Sequence, residues 1–296
     1  MDTGTPRNLD TSLTDHNRAH SRSSKGATYA KTLITYDRRA GGSTEKSVTF
    51  VTPLVANVVA DPAVTRLLAP YRTELAQAFD GKIGVATGFY PRGGTPAVER
   101  IREVAVGNLT TDAMREKYGT QIAFTNGGGL RSPLPSSYAP QDTSLRRLSA
   151  PYAVGPPFDL VVGDVFTLLP FGNQSLTRTV TGAQLWAALE HSVGSIPAAN
   201  GKFLQISGFR FTYDASRPTG SRVVSVSLQD GTPIPANATS YTATTNDFTN
   251  AGGDGYTMFV DGQGVTRDLL ANDVLDFIVA KGTITPTVEG RITRLN

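Results

Sequence analysis

The sequence predicts an α+β domain with mixed α/β layers, in which helices pack on a mixed sheet. From residue 82 onward, short apolar runs typical of strands are interspersed with segments whose apolar residues recur at helical spacing. Adjacent strands with interspersed helices are typical of a layered α+β or mixed α/β domain. The 30 glycines and 18 prolines predict many turns and short elements between them.

Residues 1–60 contain a polar stretch and two strand-like runs. Residues 1–27 are rich in Ser, Thr, Asn and Arg and have almost no large apolar side chains, so we expect a mobile tail. Tyr29–Asp37 and Ser47–Val51 have the composition of strands and are separated by the turn sequence Arg-Arg-Ala-Gly-Gly. We therefore expect a strand hairpin within residues 28–60.

A helix is predicted over residues 61–81. Asp61 is a favourable N-cap, Pro62 suits the first helical position, and Gly81 suits the end of the helix. The apolar residues between them recur at helical spacing, which normally indicates a helix that lies on a hydrophobic core. This apolar stripe consists of Val64, Leu67, Leu68, Tyr71, Leu75 and Phe79.

Residues 82–296 are predicted to form the main domain, without an internal repeat or a further boundary. Residues 132–157 are rich in proline and show no periodicity, so we expect a long surface loop there. The predicted helices are Ala97–Met114, Thr181–Ser192 with Thr181 as its cap, and Asp268–Lys281. The predicted strands are Ile83–Thr87, Gln121–Thr125, Leu160–Leu169, Gly208–Asp214, Arg222–Leu228 and Ser240–Thr245.

The composition excludes several classes of function. The formal net charge of +3 is small for 296 residues and argues against duplex nucleic acid as a partner, because such binding needs clustered Lys and Arg. The absence of cysteine excludes disulfides, thiolate nucleophiles and Cys-based zinc sites. No run approaches the ~20 apolar residues of a membrane-spanning helix, so no membrane span is expected.

Three loop sequences contain candidate ligand-binding residues. The run from Asn126 to Arg131, NGGGLR, offers an amide and a guanidinium beside a backbone that a ligand can approach closely, and it equally suits a structural turn. Phe248, close to Asp254, suits ring stacking beside a carboxylate or a hydrophobic plug beside a capped turn. Phe171 follows a strand-like run, where ordinary packing is the simpler interpretation. Each motif alone leaves both interpretations open.

Taken together, these loops resemble parts of the C-terminal domain of the 5'-nucleotidase family, which includes the UDP-sugar hydrolases. Any one motif is weak, but six occur in the family's order and spacing across roughly residues 60–285. The resemblance implies the α+β fold of that domain. The matching runs are REVAVGNLTTDAM from Arg102, NGGGLR from Asn126, PFGN from Pro170, TGAQL from Thr181, FLQISG from Phe203 and TNDFTNAGGDG from Thr245.

In that family the C-terminal domain holds the nucleoside. The resemblance implies that Phe171 and Phe248 sandwich the base, and stacking of a base on an aromatic ring contributes about 1–3 kcal/mol in nucleic-acid binding while tolerating different bases. The remaining implied contacts are Asn126 and Asn173 near the base, Asp254 at the ribose hydroxyls, Arg102 and Arg131 facing the ribose and phosphate, and Gly208 in the floor of the site.

The resemblance also implies a separate N-terminal catalytic domain that holds two divalent metal ions. Its Asp-x-His, Gly-Asn-His-Asp/Glu and Gly-His-x-His motifs do not occur in the sequence, so no catalytic residue, metal ligand or cofactor is predicted in this chain. Its three histidines are His16 and His20 in the polar stretch and His191, which we interpret as a packing or helix-end residue. Residues 28–60 would then be the end of a missing catalytic domain, and residues 61–81 the linker-type helix of the family.

The favoured hypothesis is a nucleoside- or nucleotide-recognition domain of a 5'-nucleotidase-like hydrolase, from a truncated or split enzyme that is inactive alone. Its partners would be a nucleoside or nucleotide and a metallophosphatase domain or chain. The alternative is an interaction or binding module derived from that domain, without a nucleotide role. Independent catalysis is disfavoured, because the sequence has neither a cysteine nucleophile nor a cluster of metal ligands. Family resemblance implies an extracytoplasmic location, although residues 1–27 lack the apolar stretch of a signal peptide.

Overall fold

The computed structural model describes residues 29–37, 42–51 and 59–296. The chain divides into two compact units, Met1–Pro70 and Tyr71–Asn296. In the first unit, strands β1 (Tyr29–Asp37) and β2 (Gly42–Val51) pair antiparallel, and β2 begins five residues before the predicted Ser47. The predicted tail of residues 1–27, with its two histidines, lies outside the described residues.

Helix α1 spans Pro62–Phe79, as the capping signals predict. The Asp61 carboxylate accepts hydrogen bonds from the backbone N–H groups of Ala63 and Val64, at 2.7 and 3.3 Å, and so satisfies donors that have no partner within the helix. The expectation that its stripe lies on a core is wrong: α1 has no buried residue. In the second unit, its last turn packs through Phe79, whose ring lies edge-on to Phe166 at 5.1 Å.

The second unit combines several small sheets with helices. Its other helices are α2 (Ala105–Tyr118), α3 (Val162–Leu168), α4 (Gly182–Val193), α5 (Asp247–Asn250) and α6 (Leu270–Lys281). Short 3-10 turns occur at Val98–Arg100, Gly127–Gly129, Gly253–Gly255 and Thr257–Phe259. Its strands are β3 (Lys82–Ala86), β4 (Ile122–Asn126), β5 (Arg146–Arg147), β6 (Ala153–Val154), β7 (Phe158–Val161), β8 (Gln174–Thr181), β9 (Leu204–Ser207), β10 (Phe209–Asp214), β11 (Val223–Leu228), β12 (Ser240–Asn246), β13 (Val265–Leu269), β14 (Thr283–Ile284) and β15 (Ile292–Leu295).

A five-stranded mixed sheet, in the order β13-β8-β12-β4-β9, lies between two hydrophobic cores. Strand β4 is buried along its whole length, and its side chains alternate between the cores. Ala123 belongs to the core formed with α2 and α6, whereas Ile122 and Phe124 belong to the core formed with α4 and the sheet β11-β10-β15. The structure is therefore the mixed-sheet α+β fold that the sequence predicts.

One edge of this sheet gathers several chain ends. Strands β4 and β12 run parallel, so their last residues, Asn126 and Asn246, lie at the same edge. Strands β8 and β9 run antiparallel to these two and begin at that edge, because Ser175 pairs with Asn246 and Leu204 pairs with Asn126. The loops that leave or enter the four strands therefore meet in one place.

Two predicted elements are divided differently in the structure. The run Leu160–Leu169, predicted as one strand, is the end of β7 followed by helix α3. The turn between them is fixed by Asp164, whose carboxylate accepts the backbone N–H of Val161 at 3.0 Å. The predicted helix Ala97–Met114 is a 3-10 turn followed by α2, with an extended Val104 between them.

The proline-rich segment 132–157 is only partly a surface loop, which corrects the prediction. Leu134 is fully buried, and Arg147 is buried against Asp164, with Nη2 of the arginine 2.7 Å from Oδ1 of the aspartate. The same Asp164 oxygen accepts the hydroxyl of Ser136 at 2.7 Å. A buried charge needs a paired and hydrogen-bonded partner, so this ion pair holds the segment on the domain.

Candidate functional site

A cleft of about 440 Å³ opens at the sheet edge where β4 and β12 end and β8 and β9 begin. Five of the eight site residues named from the sequence line it. They are joined by one arginine and three glycines that no sequence pattern singles out individually. The lining residues are Asn126, Phe171, Asn173, Phe248 and Asp254, with Arg100, Gly128, Gly129 and Gly201.

Two phenylalanine side chains of the cleft are open to solvent. Phe171 is 60% exposed and Phe248 is 42% exposed. Large apolar side chains that are exposed on one concave surface are characteristic of a ligand-binding site, because a bound ligand would cover them and remove them from water. The Arg131 guanidinium lies 5.5 Å from the centre of the Phe171 ring, within the range of a cation–π contact. Arg131 is thus next to the cleft wall.

The ring of Phe248 rests on a glycine. A Cβ on Gly253 would be 2.6 Å from three carbon atoms of that ring, closer than side-chain atoms normally approach. The backbone at Gly253 therefore serves as the support that fixes one face of Phe248. The following residue, Asp254, has a left-handed φ of 54°, which turns its side chain into the cleft.

The triple-glycine run forms the third wall. The backbone N–H groups of Gly127 and Gly128 donate to the carbonyls of Phe203 and Gly201, at 2.7 and 2.9 Å. A Cβ on Gly127 would collide with the Glu99 carbonyl oxygen. Gly127 is thus required by close backbone packing, and the hydrogen bond from Gly128 brings Gly201 to the cleft.

A chain of amide and carboxylate groups connects the polar residues of the site. The Asn126 side-chain amide donates to Oδ2 of Asp254 at 2.9 Å, and its own Oδ1 accepts from the Asn246 amide at 3.0 Å. Asn246 also caps α5, because its Oδ1 accepts the backbone N–H of Thr249 at 2.7 Å. Since α5 carries Phe248, the ring of this residue and the polar groups are held in one network.

The second phenylalanine loop is tied to the same helix. The Asn173 amide donates to Oδ1 of Asp247 at 2.7 Å, and that oxygen also accepts the backbone N–H of Phe248 at 2.8 Å. Asn173 follows Phe171 by two residues, so this contact fixes the loop of Phe171 relative to that of Phe248. The spacing of the two rings therefore depends on Asp247.

The arginine that lines the cleft is Arg100, whereas the predicted Arg102 does not line it. The 3-10 turn Val98–Arg100 directs Arg100 to the cleft, whereas Arg102 is exposed and contributes its backbone carbonyl to the side chain of Gln205, at 2.8 Å. The fully buried Glu99 between the turn and the preceding loop has Oε1 3.0 Å from Nη2 of Arg92 and 3.5 Å from Nε of Arg100.

The end of the cleft that contains Arg100 is electropositive. Burial lowers the pKa of the Arg92 guanidinium; Glu99 opposes this shift, and the nearby Arg131 and Arg100 add to it. Arg92 and Arg100 both contact the Glu99 carboxylate, and Arg131 is close enough to Arg92 to affect its pKa, so three guanidinium groups lie near one buried carboxylate. An anionic group on a ligand would therefore find favourable charge here.

Gly208, which is predicted to lie in the floor of the site, does not line this cleft. It has a φ of +81° between β9 and β10, where a Cβ would collide with the Gln121 carbonyl oxygen. That position is at the far end of β9 from Leu204, which adjoins the cleft. Gly201, which precedes β9, lines the cleft together with Gly128 and Gly129. The tight turn between β9 and β10 explains why residue 208 is a glycine.

Among residues 29–37, 42–51 and 59–296, no group of three or more His, Asp or Glu side chains could hold a metal ion. The described residues thus do not fit a two-metal centre of the kind that the family resemblance implies for a separate catalytic domain. His16 and His20 lie outside the described residues. Within the same ranges, no helix has the length and apolar character needed to cross a bilayer.

Several residues of the site escape sequence reasoning. Asn246 and Asp247 could have been found, because an asparagine before a short Asp-Phe-Thr-Asn turn is a capping signal. Arg100 lies two residues before the matched run, so the motif does not fix its register. Gly201 has no signal beyond its place in a Gly-Lys turn. His191, interpreted as packing, lies behind the cleft with Nε2 2.8 Å from the backbone oxygen of Asp254.

Comparisons with known proteins agree on one family. A family model described as 5'-nucleotidase, C-terminal domain, matches residues 82–261, more than half of the chain. A crystal structure of a 5'-nucleotidase precursor from Thermus thermophilus superimposes with a TM-score of 0.67 and 31% sequence identity, over 92% of this chain and 50% of that one.

Curated relatives extend the same similarity. A snake venom 5'-nucleotidase from Naja atra is 30% identical over 260 residues, which are 81% of this chain and 46% of that protein. The trifunctional nucleotide phosphoesterase protein YfkN of Bacillus subtilis is 27% identical over 269 residues, which are 88% of this chain and 17% of that protein. The chain thus spans half or less of the length of each of these relatives.

Proposed function

Because the chain belongs to the 5'-nucleotidase C-terminal domain family, we propose that its cleft binds a nucleoside or nucleotide, with the base between Phe171 and Phe248. The observation that carries the proposal is the pair of exposed phenylalanine rings on one cleft of about 440 Å³. A planar base would cover apolar surface that is otherwise open to water. Relatives that are named 5'-nucleotidases support the same class of ligand.

The polar groups of the cleft suit the rest of such a ligand. Asp254 accepts one hydrogen bond from Asn126 and, as a carboxylate with two oxygens, has capacity for a pair of sugar hydroxyls. Asn126 and Asn173 present amides near the rings, where they suit polar atoms at the edge of a base. Recognition in this scheme combines sequence-tolerant stacking with a few hydrogen bonds that orient the sugar.

The electropositive end suits a phosphate. Arg100 lines the cleft with 27% of its side chain exposed, and its Nε lies 3.5 Å from Oε1 of Glu99. A guanidinium is well matched to phosphate oxygens, so the phosphate of a nucleotide would satisfy this group together with Arg131. These two side chains are partly exposed, so solvent screening keeps their contribution modest.

Phosphate-ester hydrolysis is proposed only as a joint activity. The described part of the chain contains no set of side chains suited to a metal centre, so this domain would supply recognition while a metallophosphatase domain or chain supplies the metal ligands. A phosphate-release assay on the pure chain with added Mn²⁺ is expected to show no nucleotide-dependent release. Sustained turnover in that assay would contradict this division of roles.

Isothermal titration of the full chain with adenosine tests the proposal. Phe248→Ala is expected to weaken binding by about tenfold or more, because stacking on one aromatic contributes about 1–3 kcal/mol. Phe89→Ala is a matched control: Phe89 is also 42% exposed but does not line the cleft. Equal affinities of wild type and Phe248→Ala would instead favour an interaction module without a nucleotide role.

A further inference from the structure

We propose that His191 is a positioning residue for Asp254, and that it thereby determines how strongly the site discriminates in favour of a sugar with vicinal hydroxyls. This inference rests on the proposed function of the cleft. His191 does not line the cleft itself. It acts from the layer behind, through the backbone of the residue whose carboxylate faces the ligand.

Asp254 has an unusual backbone that needs support. Within the described residues, it and Asn296 are the only non-glycine residues with a positive φ, and Asn296 is the last residue of the chain. Its neighbours Gly252 and Gly255 both have a φ of 88°. The glycines on either side of Asp254 allow the segment many other conformations. Contacts from outside the segment must therefore stabilise the left-handed conformation of Asp254.

His191 supplies such a contact. Its Nε2 lies 2.8 Å from the Asp254 carbonyl oxygen. Because a backbone carbonyl can only accept a hydrogen bond, Nε2 carries the proton and donates it. The imidazole also fills the space beside Gly255, where a Cβ would be 3.0 Å from Cε1 of the ring. The hydrogen bond and the ring together restrict the backbone of Asp254 and Gly255 to the observed conformation.

The histidine is mounted on a rigid element. Helix α4 begins with a capping box in which Thr181 and Gln184 satisfy each other's backbone N–H groups. Leu185 and Leu189 on the same helix are fully buried in the core under the sheet. The packing of α4 on the core therefore fixes the position of His191. The hydrogen bond from His191 in turn fixes the backbone of Asp254 relative to that helix.

A second contact joins the same layer to Gly201, where a Cβ would lie 3.4 Å from Oδ2 of Asp254. The His191 ring meets the edge of Tyr256 at 4.9 Å with the planes 77° apart. Tyr256 is fully buried, and its hydroxyl donates to the Lys202 carbonyl, next to the cleft residue Gly201. His191 and Tyr256 thus hold Asp254 and Gly201 at a fixed separation from behind.

The chemical consequence concerns the ligand's hydroxyl groups. Hydrogen bonds from a diol to a carboxylate are directional, so they form at full strength only if the carboxylate keeps its orientation. Stacking between the two phenylalanines has no such requirement. Loss of the His191 contact should therefore reduce the contribution of the hydroxyls and leave the contribution of the base.

The test compares adenosine with 2',3'-dideoxyadenosine by isothermal titration on the full chain. Wild type is expected to prefer adenosine by about tenfold, the effect of hydrogen bonds to a charged group. His191→Phe keeps a ring against Tyr256 but removes the donor, so the preference should fall below about threefold while affinity for the dideoxynucleoside is unchanged. His191→Gln, which restores an N–H at similar reach, should recover most of the preference.

Three outcomes would overturn the inference. The first is that His191→Phe prefers adenosine as strongly as the wild type does. The second is that His191→Phe loses affinity equally for both nucleosides, which indicates a packing role alone. The third is that the wild type binds both nucleosides without preference. Wild type that binds neither nucleoside would contradict the proposed function itself. Circular dichroism checks that each variant is folded, and His191→Asn, whose shorter amide does not reach the carbonyl, provides the same test should His191→Phe unfold.

Discussion

The ring of Phe248 lies on the backbone of Gly253, with three ring carbons 2.6 Å from the place where a Cβ would stand. Gly253→Ala must therefore displace the ring, although the backbone at this position does not require a positive φ. We expect weaker adenosine binding, in the direction of Phe248→Ala, with little change in the free energy of unfolding, because Phe248 is already partly exposed. Isothermal titration and urea unfolding measure the two effects.

Gly81→Ala is the matched control for this substitution. The nearest atom to its added methyl group would be 3.9 Å away, an ordinary van der Waals distance. Its adenosine affinity should equal that of the wild type. An unchanged affinity in Gly253→Ala would mean that the Phe248 ring can move without consequence for the ligand, contrary to its proposed stacking role.

Arg100 and Arg102 form an internal pair of test positions. Arg100 lines the cleft and Arg102 is exposed elsewhere. We expect AMP to bind no more than about tenfold more tightly than adenosine, because exposed ion pairs contribute about 0.2–1 kcal/mol each, so that Arg100 and Arg131 together add roughly 1 kcal/mol. Arg100→Ala should reduce this difference, while Arg102→Ala should preserve it. A larger effect of Arg102→Ala on AMP would support the sequence-based assignment of Arg102 instead.

Asn246 is expected to matter for both stability and binding. Its side chain is buried, caps α5 through Thr249, and donates to Thr125 and Asn126. Asn246→Ala leaves these partners unsatisfied, so the free energy of unfolding should fall by roughly 1–3 kcal/mol. Adenosine affinity should fall as well, because α5 carries Phe248.

Asn237→Ala serves as the comparison for Asn246. Asn237 is exposed, and its side-chain oxygen accepts only a local hydrogen bond from Thr239 at 2.9 Å. Surface changes of this kind usually shift stability by less than about 0.5 kcal/mol. If both variants unfolded at the same urea concentration as the wild type, the network around Asn246 would contribute nothing measurable to the stability of the fold.

Asp159 predicts a pH dependence of stability. Hydrogen bonds from Arg146, followed by one from Lys82, hold the pKa of Asp159 well below its usual range, against the opposing effect of burial. A carboxylate whose pKa is lower in the folded chain stabilises it above the unfolded-state value of about 4, and this contribution is lost as the pH falls toward the folded-state pKa. Asp159→Asn should thus be less stable than wild type at pH 7.

The difference between Asp159→Asn and wild type should narrow progressively below about pH 4. Urea unfolding at pH 7 and at pH 3 measures it. Glu74→Gln, at an exposed position of α1, is the control and should match wild type at both values. A difference that stays constant with pH would show that the loss arises from packing rather than from the ionised carboxylate.

Local signals explain which elements the sequence predicts well. Helix α1 and helix α4 begin at a side chain that caps the nearby backbone, Asp61 and Thr181, so their starts are encoded within a few residues. The turn from β7 into α3 is different. It depends on Asp164, whose partners Ser136 and Arg147 lie far away in sequence, and no local pattern reveals them.

The same distinction holds for the site. Phe171, Phe248, Asn126, Asn173 and Asp254 each belong to a motif whose order and spacing indicate the family, and all five line the cleft. The arginine register could not be predicted, because it depends on the burial of Glu99 against Arg92 and the loop before it. The contact of His191 with Asp254 could not be predicted either, because helical spacing does not indicate which chain segment lies opposite.

Four strand ends meet at one sheet edge, so the residues that line the cleft, which are spread along the chain from Arg100 to Asp254, come together only in the folded second unit. A ligand that needs Arg100, Asn126, Phe171 and Phe248 together can recognise only the assembled sheet. Such a ligand stabilises the native chain by mass action, by about 2.7 kcal/mol at a concentration one hundred times its Kd. A nucleoside in this cleft would thus act as a pharmacological chaperone for the domain, protecting it from proteolysis in proportion to its concentration.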